Sequence, residues 1–247
     1  MRPTSNIVGV IPARMGATRL PGKPLRHIAG VPMIQRVYQG AAGCSLLQSV
    51  VVATDGEEIA GFCRGAGIPV YLTSPAHASG TDRVWQVARE LGADAAVNIQ
   101  GDEPMVRPEM LTTLVEALFA APEVEVASLY TPVAAEEAQP PSVCKVVIEA
   151  NGRALYFSRA VIPYPREAAP QYLKHLGYYA YSRAALEAFH AWPPSALELA
   201  ERLEQLRFLD HGIRIAMAAT DCNTLGIDTP EDLAQAEAWF ARHPDRI

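Results

Sequence analysis

The sequence of 247 residues contains no long apolar run. None of its apolar stretches approaches the ~20 residues that a membrane-spanning helix needs, so no membrane partner is predicted. Residues 1–9 also lack the basic segment and the long apolar core of a secretory signal, and we expect no export. Cysteine is scarce and scattered, with no C-x-x-C pair among Cys44, Cys63, Cys144 and Cys222. The sequence therefore predicts free thiols and a cytoplasmic location, rather than a disulfide framework or a zinc site.

Positive charge is also in short supply. The chain has 21 Lys+Arg against 27 Asp+Glu, which gives a formal net charge of −6. A protein of that sign is not steered to duplex DNA or to an anionic membrane, so no nucleic-acid partner is predicted. Any phosphate-binding site must then be a local cluster of cations. Apolar residues are abundant at 49%, which is enough for a full core and excludes a disordered chain.

Buried strands alternate with helices through the first half of the chain. Short apolar or β-branched runs predict strands at residues 7–11, 50–53, 70–72 and 95–99. Helices are expected to open at Pro32, just after Asp55, at a Thr81 cap and at Pro108. This order predicts an α/β fold with a doubly wound, mostly parallel sheet.

The alternation breaks after about residue 123. Asn151-Gly152, between apolar runs at 143–148 and 154–157, predicts a hairpin with a type I′ turn. Ser195 and Glu198 predict a capping box for one helix carrying Leu199, Leu203 and Leu206 on one stripe. Thr229-Pro230 predicts the start of the last helix. We expect a single domain over residues 1–247, with an antiparallel lobe at about 140–190.

The loop after the first strand gathers the cations that an acidic protein needs for a phosphate site. Arg14, Arg19 and Lys23 fall within ten residues, together with two glycines. Open α/β sheets bind ligands at this edge. The loop matches neither G-x-G-x-x-G nor G-x-x-x-x-G-K-[ST], which disfavours an NAD-dependent oxidoreductase and a P-loop ATPase.

Asp102 follows the fourth buried strand and is expected beside the first loop. A carboxylate there would repel a bound phosphate group unless a hard cation lay between them. Mg²⁺ binds one or two carboxylates together with substrate phosphates, so a second protein carboxylate is expected from elsewhere.

Four segments carry a resemblance to a known family: IPARMGATRLPGKPL (11–25), HASGTDR (77–83), NIQGDEPM (98–105) and GIDTPEDL (226–233). They are similar to the 3-deoxy-manno-octulosonate cytidylyltransferases, also called CMP-Kdo synthetases. ALYFSRAVIPYPR (154–166), KHLGYYAY (174–181) and LEQLR (203–207) extend the similarity over almost the whole chain. The resemblance implies transfer of a cytidylyl group from CTP to an eight-carbon keto sugar acid, with release of pyrophosphate. It also implies a Mg²⁺-dependent, homodimeric, cytoplasmic enzyme of lipopolysaccharide biosynthesis.

The resemblance also implies residue roles. Asp102 and Asp228 would hold the metal and, with Arg14, Arg19 and Lys23, form the catalytic set. CTP would be bound by Ala13, Arg14, Arg19, Lys23, Ser79, Gly80, Arg83, Gln100 and Asp102. The sugar acid would be bound by Arg159, His175, Tyr179, Glu204 and Gln205. Ala17 stands where the family usually has a serine, so one hydroxyl contact is absent.

Plainer roles stay open for several of these residues. Asp228 could serve only the dipole of the last helix, and Ser79 could be a simple turn residue. Glu204 and Gln205 could lie on a solvated helix face, and His175 could be a structural histidine. Arg83 could act by orienting its own segment, HASGTDR (77–83), which is called the second loop below.

Alternative functions stay open as well. The acceptor could be an amino-substituted octulosonate or a sialic acid. A nucleotide-sensing module without turnover is a further alternative, although the retained pair of carboxylates argues against it.

Overall fold

The computed structural model describes residues 5–16, 19–168 and 170–243. The chain divides into two compact units, one made of Met1–Thr112 with Thr224–Ile247 and the other of Thr113–Asn223. The lobe expected at about 140–190 lies within the second unit.

The strands and helices alternate as expected in the first half of the chain. The strands are β1 (Ile7–Pro12), β2 (His27–Ile28), β3 (Val31–Pro32), β4 (Ser49–Thr54), β5 (Val70–Leu72), β6 (Ala95–Asn98), β7 (Val126–Val133), β8 (Lys145–Ile148), β9 (Ala154–Ser158), β10 (Tyr172–Ser182) and β11 (Ile215–Ala219). The α-helices are α1 (Met33–Ala42), α2 (Glu57–Gly65), α3 (Gly80–Glu90), α4 (Pro108–Leu118), α5 (Arg183–Ala191), α6 (Ala196–Glu201), α7 (Leu206–Asp210) and α8 (Pro230–Arg242).

The first unit is built on four parallel strands in the order β6-β1-β4-β5. The apolar runs of β1, β4 and β6 are buried almost end to end, as expected for strands covered on both faces. The four predicted strands are therefore confirmed, and with them the α/β class of the fold.

Two predicted helix starts differ from the structure. Pro32 is the residue before α1, which begins at Met33. The predicted Thr81 cap of α3 was wrong, because Ser79 is the cap and Thr81 is a buried residue of the first turn. The Ser79 hydroxyl accepts the Asp82 N–H at 3.1 Å, and the Asp82 carboxylate accepts the Ser79 N–H at 3.2 Å. The residue three positions after Thr81 is Val84, which cannot complete a capping box.

The second unit is mainly antiparallel. β10 pairs with β7 and β8 in antiparallel fashion, β8 pairs with β9, and β11 lies parallel to β7. The register between β10 and β7 shifts between Leu176 and Tyr179. Such a bulge re-aims the side chains that follow it.

The predicted hairpin is confirmed, but its type I′ turn was wrong. A type I′ turn needs a positive φ at two successive residues, whereas in this turn only Gly152 has one, at 83°. The Gly152 N–H donates to the Glu149 carbonyl at 2.9 Å. The turn therefore belongs to the hairpin loops longer than two residues, in which a glycine in the left-handed region follows an ordinary turn.

The single helix predicted from Ser195 was also wrong. Ser195 and Glu198 do form the capping box, but α6 ends at Glu201 and Arg202 takes a left-handed φ of 56°. Leu199 is 56% exposed, so the proposed stripe does not form. Glu204 and Gln205 therefore lie in the turn between α6 and α7, not on a helix face.

Candidate active site

Four of the five residues predicted to be catalytic meet in the first unit. The Lys23 ammonium lies 2.6 Å from Asp102 Oδ2 and 3.0 Å from Asp228 Oδ1. Arg19 contacts the other oxygen of Asp228 at 3.0 Å. Arg14 lies exposed in the loop after β1. Three segments that are distant in sequence thus contribute to one cluster, which consists of Arg19, Lys23, Asp102 and Asp228 and is called the charged cluster below.

Close backbone contacts bring these segments together. A β-carbon at Gly101 would lie 2.6 Å from the carbonyl oxygen of Pro12, so only glycine lets the turn after β6 approach the end of β1. The Ile227 N–H donates to the Asp102 carbonyl at 2.9 Å and brings the third segment alongside. Gly22, at a φ of 68°, turns the first loop into a short 3-10 helix that begins at Lys23.

The charged cluster stabilises the ionised forms of Lys23 and Asp228. Burial alone would lower the pKa of Lys23, but Asp102 and then Asp228 outweigh burial, and the pKa is raised. Burial alone would raise the pKa of Asp228, but Lys23 and Arg19 outweigh it, and the pKa is lowered. Lys23 and Asp228 are therefore charged at neutral pH.

The charged cluster suits a hard divalent cation shared with phosphates. Asp102 and Asp228 already converge on one positive charge, that of Lys23. Among the described residues, no group of three or more His, Cys, Asp or Glu side chains could hold a metal. Two carboxylates without a complete protein cage are what Mg²⁺ uses when phosphates supply further ligands.

The N-terminus of α8 is capped by residues other than Asp228. Thr229 caps α8, and the Asp232 carboxylate accepts the N–H groups of Asp228 and Thr229 at 3.0 and 2.9 Å. The Asp228 side chain is left to contact Lys23 and Arg19.

Residues predicted to recognise the base lie around the start of α3. The Ala13 N–H is used by the Ala53 carbonyl at 2.9 Å, so the backbone group of Ala13 suited to a ligand is its carbonyl, an acceptor. The Ser79 side chain and its backbone N–H both serve the capping box, which leaves the carbonyl as the backbone group of Ser79 for the predicted contact. A β-carbon at Gly80 would lie 3.6 Å from the Pro12 ring, so α3 begins beside the first loop. Gln100 lies in the turn after β6, where its carbonyl accepts the Glu103 N–H.

Arg83 is buried and orients loops. Its guanidinium donates to Asp55 Oδ2 and Thr73 Oγ1, both at 2.6 Å, and to the Ser74 carbonyl at 3.3 Å. These contacts join α3 to the segments after β4 and β5. They agree with the role in orienting the second loop.

The residues predicted to bind the sugar acid all belong to the second unit. The Arg159 guanidinium donates to the carbonyls of Glu201, Pro141 and Arg202 at 2.8, 3.0 and 3.3 Å. Its guanidinium therefore contacts the end of α6, where the turn carrying Glu204 and Gln205 begins. Gln205 is buried, and its amide lies 3.8 Å from Cys144 Sγ.

His175 is buried beside Tyr179 on β10, with the two ring centroids 5.3 Å apart. Its Nε2 lies 2.9 Å from Ser128 Oγ, which also lies 2.8 Å from the Tyr178 carbonyl. Because the single hydroxyl proton is needed for the carbonyl, His175 Nε2 must be the donor, which makes Nδ1 an acceptor. Burial lowers the pKa of His175 to about 3, so the ring is neutral.

Two buried ionic features of the second unit were missed by the sequence analysis. The Lys145 side chain is completely buried, and its position in the apolar run K-V-V-I was the available signal. Arg207 forms a two-pronged pair with Glu198 at 2.6 and 2.7 Å. The sequence analysis explained Glu198 by the capping box alone. Arg207 lies nine positions further on, a spacing that does not bring two side chains to one helix face, so the pair was not predicted.

Ala17 lies outside the described residues.

No helix in the described part of the chain has the length and apolar character needed to cross a membrane. The four cysteines are free thiols, as expected.

A parallel α/β sheet with a cationic loop and two carboxylates beside the ends of its strands defines a nucleotidyltransferase. Residues 8–215 match the family model described as cytidylyltransferase. The chain belongs to this family and, through its close relatives, to the 3-deoxy-manno-octulosonate cytidylyltransferases.

The relatives match almost end to end. The chain is 53% identical to 3-deoxy-manno-octulosonate cytidylyltransferase of Acidobacterium capsulatum, over 94% of this chain and 95% of that protein. It is 49% identical to the protein of that name from Koribacter versatilis, over 95% and 90%. A solved structure of CMP:2-keto-3-deoxy-manno-octonic acid synthetase complexed with CTP is 44% identical, with a TM-score of 0.93 over 97% of this chain and 100% of that one.

Proposed function

We propose that this chain transfers the cytidylyl group of CTP to 3-deoxy-D-manno-octulosonate (Kdo), giving CMP-Kdo and pyrophosphate. The charged cluster is the observation that carries the proposal, since it combines two cations and two carboxylates, the groups that suit a nucleoside triphosphate and its metal ion. The names of the relatives support this nucleotide and acceptor.

The reaction needs positioning more than covalent chemistry. The anomeric hydroxyl of the sugar acid attacks the α-phosphorus of CTP, the bond to the pyrophosphate oxygen breaks, and the hydroxyl proton is lost. Arg14 and Arg19 suit two-pronged contacts with phosphate, and Lys23 supplies a point charge. Burial raises the pKa of the Cys63 and Cys144 thiols to about 11 and about 12, which suits neither for nucleophilic attack. We therefore infer direct displacement.

Asp102 and Asp228 would hold Mg²⁺. The oxygens that now face the Lys23 ammonium are the hard ligands this ion prefers. When bound, Mg²⁺ neutralises charge on the phosphate oxygens. Lys23 must then give up at least part of its contact with the two carboxylates and is free to contact phosphate.

The second unit supplies the groups for the sugar acid. A guanidinium has five N–H donors, and the three carbonyls around Arg159 take three of them. Two donors remain for the substrate carboxylate. The neutral His175 offers Nδ1 as an acceptor for a hydroxyl, and Tyr179, Glu204 and Gln205 are the further polar partners.

The biological setting belongs to the same proposal. We infer a homodimer in the cytoplasm that makes an activated sugar for lipopolysaccharide biosynthesis. Leu155, Leu197 and Leu199 of the second unit are exposed apolar side chains, which a second copy would shield from water. The free thiols suit a reducing compartment. Light scattering on the purified protein would test the dimer.

The deciding experiment measures pyrophosphate release with CTP, Mg²⁺ and a panel of keto sugar acids. We expect release with Kdo that depends on both CTP and Mg²⁺. Much faster release with an amino-substituted octulosonate or a sialic acid would reassign the acceptor. No release with any acid would overturn the enzymatic function and favour a nucleotide-sensing module.

A further inference from the structure

We propose that Lys145 is a positioning residue for the sugar-acid subsite, where it fixes the main chain from which the Arg159 side chain projects. This inference rests on the proposed function, because it takes Arg159 as the residue that binds the substrate carboxylate. Lys145 itself lies too deep to contact a substrate, since none of its side chain is accessible to solvent.

Lys145 gathers backbone carbonyls around its ammonium. Nζ donates to the carbonyl of Arg159 at 2.6 Å, to that of Val143 at 2.7 Å and to that of Pro140 at 3.4 Å. A single side chain thus joins the end of β9 to the segment of residues 140–143. The pairing of β8 with β9, in which Lys145 lies opposite Ser158, brings the ammonium to this point.

The same segment also holds the guanidinium of Arg159. The carbonyl of Pro141 accepts from Arg159 at 3.0 Å, and Pro141 lies between the two residues whose carbonyls Lys145 binds. A change in the path of residues 140–143 would therefore move a direct partner of the Arg159 side chain.

Both polar groups of the Arg159 backbone are held by buried or half-buried side chains. Lys145 binds its carbonyl, and the Glu201 carboxylate accepts its N–H at 2.9 Å. Glu201 also accepts the Ser158 hydroxyl at 2.5 Å. With the N–H and the carbonyl fixed, the direction in which the Arg159 side chain leaves the chain is set before any ligand arrives.

The fold alone gives little reason for a charge at this position. All three hydrogen-bond partners of the Lys145 ammonium are neutral carbonyls, and burial lowers the pKa of this lysine. The Glu201 carboxylate favours the charged form of Lys145 without contacting it and does not outweigh burial. Burying an ammonium that no carboxylate contacts directly costs free energy that a buried apolar side chain does not. A methionine of similar length should therefore preserve the packing while it releases the three carbonyls.

The test compares wild type with Lys145→Met, Lys145→Gln and the control Lys174→Met in steady-state pyrophosphate release. Lys174 lies opposite Lys145 on β10, but its ammonium lies at the surface, 2.8 Å from Asn223 Oδ1. Because a charge-assisted hydrogen bond is lost, we expect Lys145→Met to raise the KM for Kdo about tenfold or more. The KM for CTP should stay within about twofold, since the nucleotide residues lie in the other unit. Lys145→Gln, which keeps a donor, should fall between, and the control should match wild type.

Several outcomes would overturn the proposal. An unchanged KM for Kdo, or an equal rise in both KM values, would remove the positioning role. If circular dichroism showed that Lys145→Met and Lys145→Gln both fail to fold, Lys145 would serve the fold instead. An inactive wild type would overturn the proposed function and this inference with it, whereas an active wild type with unaffected variants would overturn this inference alone.

Discussion

The ammonium of Lys23 lies 2.6 Å from Asp102 Oδ2, although 79 positions separate the two residues in the chain. Lys23 is only 15% exposed and also contacts Asp228. One side chain thus contacts both carboxylates, which would otherwise repel each other.

This contact predicts that Lys23 and a divalent cation compete for the carboxylates. With CTP absent, Lys23→Met should bind Mn²⁺ about tenfold more tightly than wild type, because a nearby positive charge is removed. Electron paramagnetic resonance of free Mn²⁺ measures this directly. Arg26→Met, a charge change in the same loop at a residue whose guanidinium donates to the Pro21 carbonyl, serves as the control. Equal Mn²⁺ affinity in wild type and Lys23→Met would contradict the competition.

Asp102→Asn should abolish metal-dependent turnover and leave the fold intact. The substitution keeps the shape of the side chain but removes the charge, and we expect a loss of about 10²-fold or more in pyrophosphate release. Glu58→Gln, on the exposed face of α2, is a charge-matched control and should keep wild-type rates. Wild-type rates in Asp102→Asn would refute the assigned role.

The buried His175 predicts a dependence of stability on pH. Its pKa is lowered by burial to about 3, below the value of about 6.5 expected in the unfolded chain, so the unfolded state binds the proton first. The contribution of His175 to the free energy of unfolding is therefore complete above pH ~6.5. It falls by up to about 1.4 kcal/mol per pH unit as the pH drops towards 3.

Urea unfolding of wild type and His175→Gln between pH 7 and 5 would measure this contribution, since Asp228 titrates below that window. The variant should lose most of the slope. An identical pH dependence in both proteins would exclude a buried neutral histidine.

The pair of Glu198 and Arg207 predicts strong coupling between two substitutions. Arg207→Met alone leaves a buried carboxylate without its partner and should cost about 3–5 kcal/mol of unfolding free energy. The double change with Glu198→Leu should recover much of that loss, because no buried charge remains. Urea unfolding of the four proteins in the cycle gives the coupling energy, and simple additivity would contradict the prediction.

Much of the first unit was predictable because local pattern and tertiary structure agree there. Continuous apolar runs predicted β1, β4 and β6, because strands that are covered on both faces show no alternation of apolar and polar residues. A short apolar run also predicted β5, although this edge strand is half-buried or exposed. The rule that strands of a parallel sheet present their carboxyl ends at one edge then predicted that Asp102 lies beside the loop of Lys23.

The second unit was less predictable because long-range contacts decide its details. The chain breaks its helix at Arg202, a residue with no local stop signal, and the carbonyls of Glu201 and Arg202 there accept the Arg159 guanidinium. Arg159 is more than forty positions away, so no window of sequence contains both partners. Lys145 was missed for the same reason, since its carbonyl partner at Arg159 is 14 positions away and bears no side-chain signal.

The 2.6 Å separation between the Pro12 oxygen and a β-carbon at Gly101 has a consequence for the gene. Any other amino acid at codon 101 would force the main chain near Pro12 to retreat, and that retreat would pull Ala13 from its hydrogen bond to Ala53. When variants with every amino acid at codon 101 are selected for a functional protein, the survivors should thus carry glycine almost alone. The same selection at codon 61, on α2, should return many survivors, because no atom of the described residues outside its own stretch of helix lies within 4 Å of a β-carbon built on that glycine.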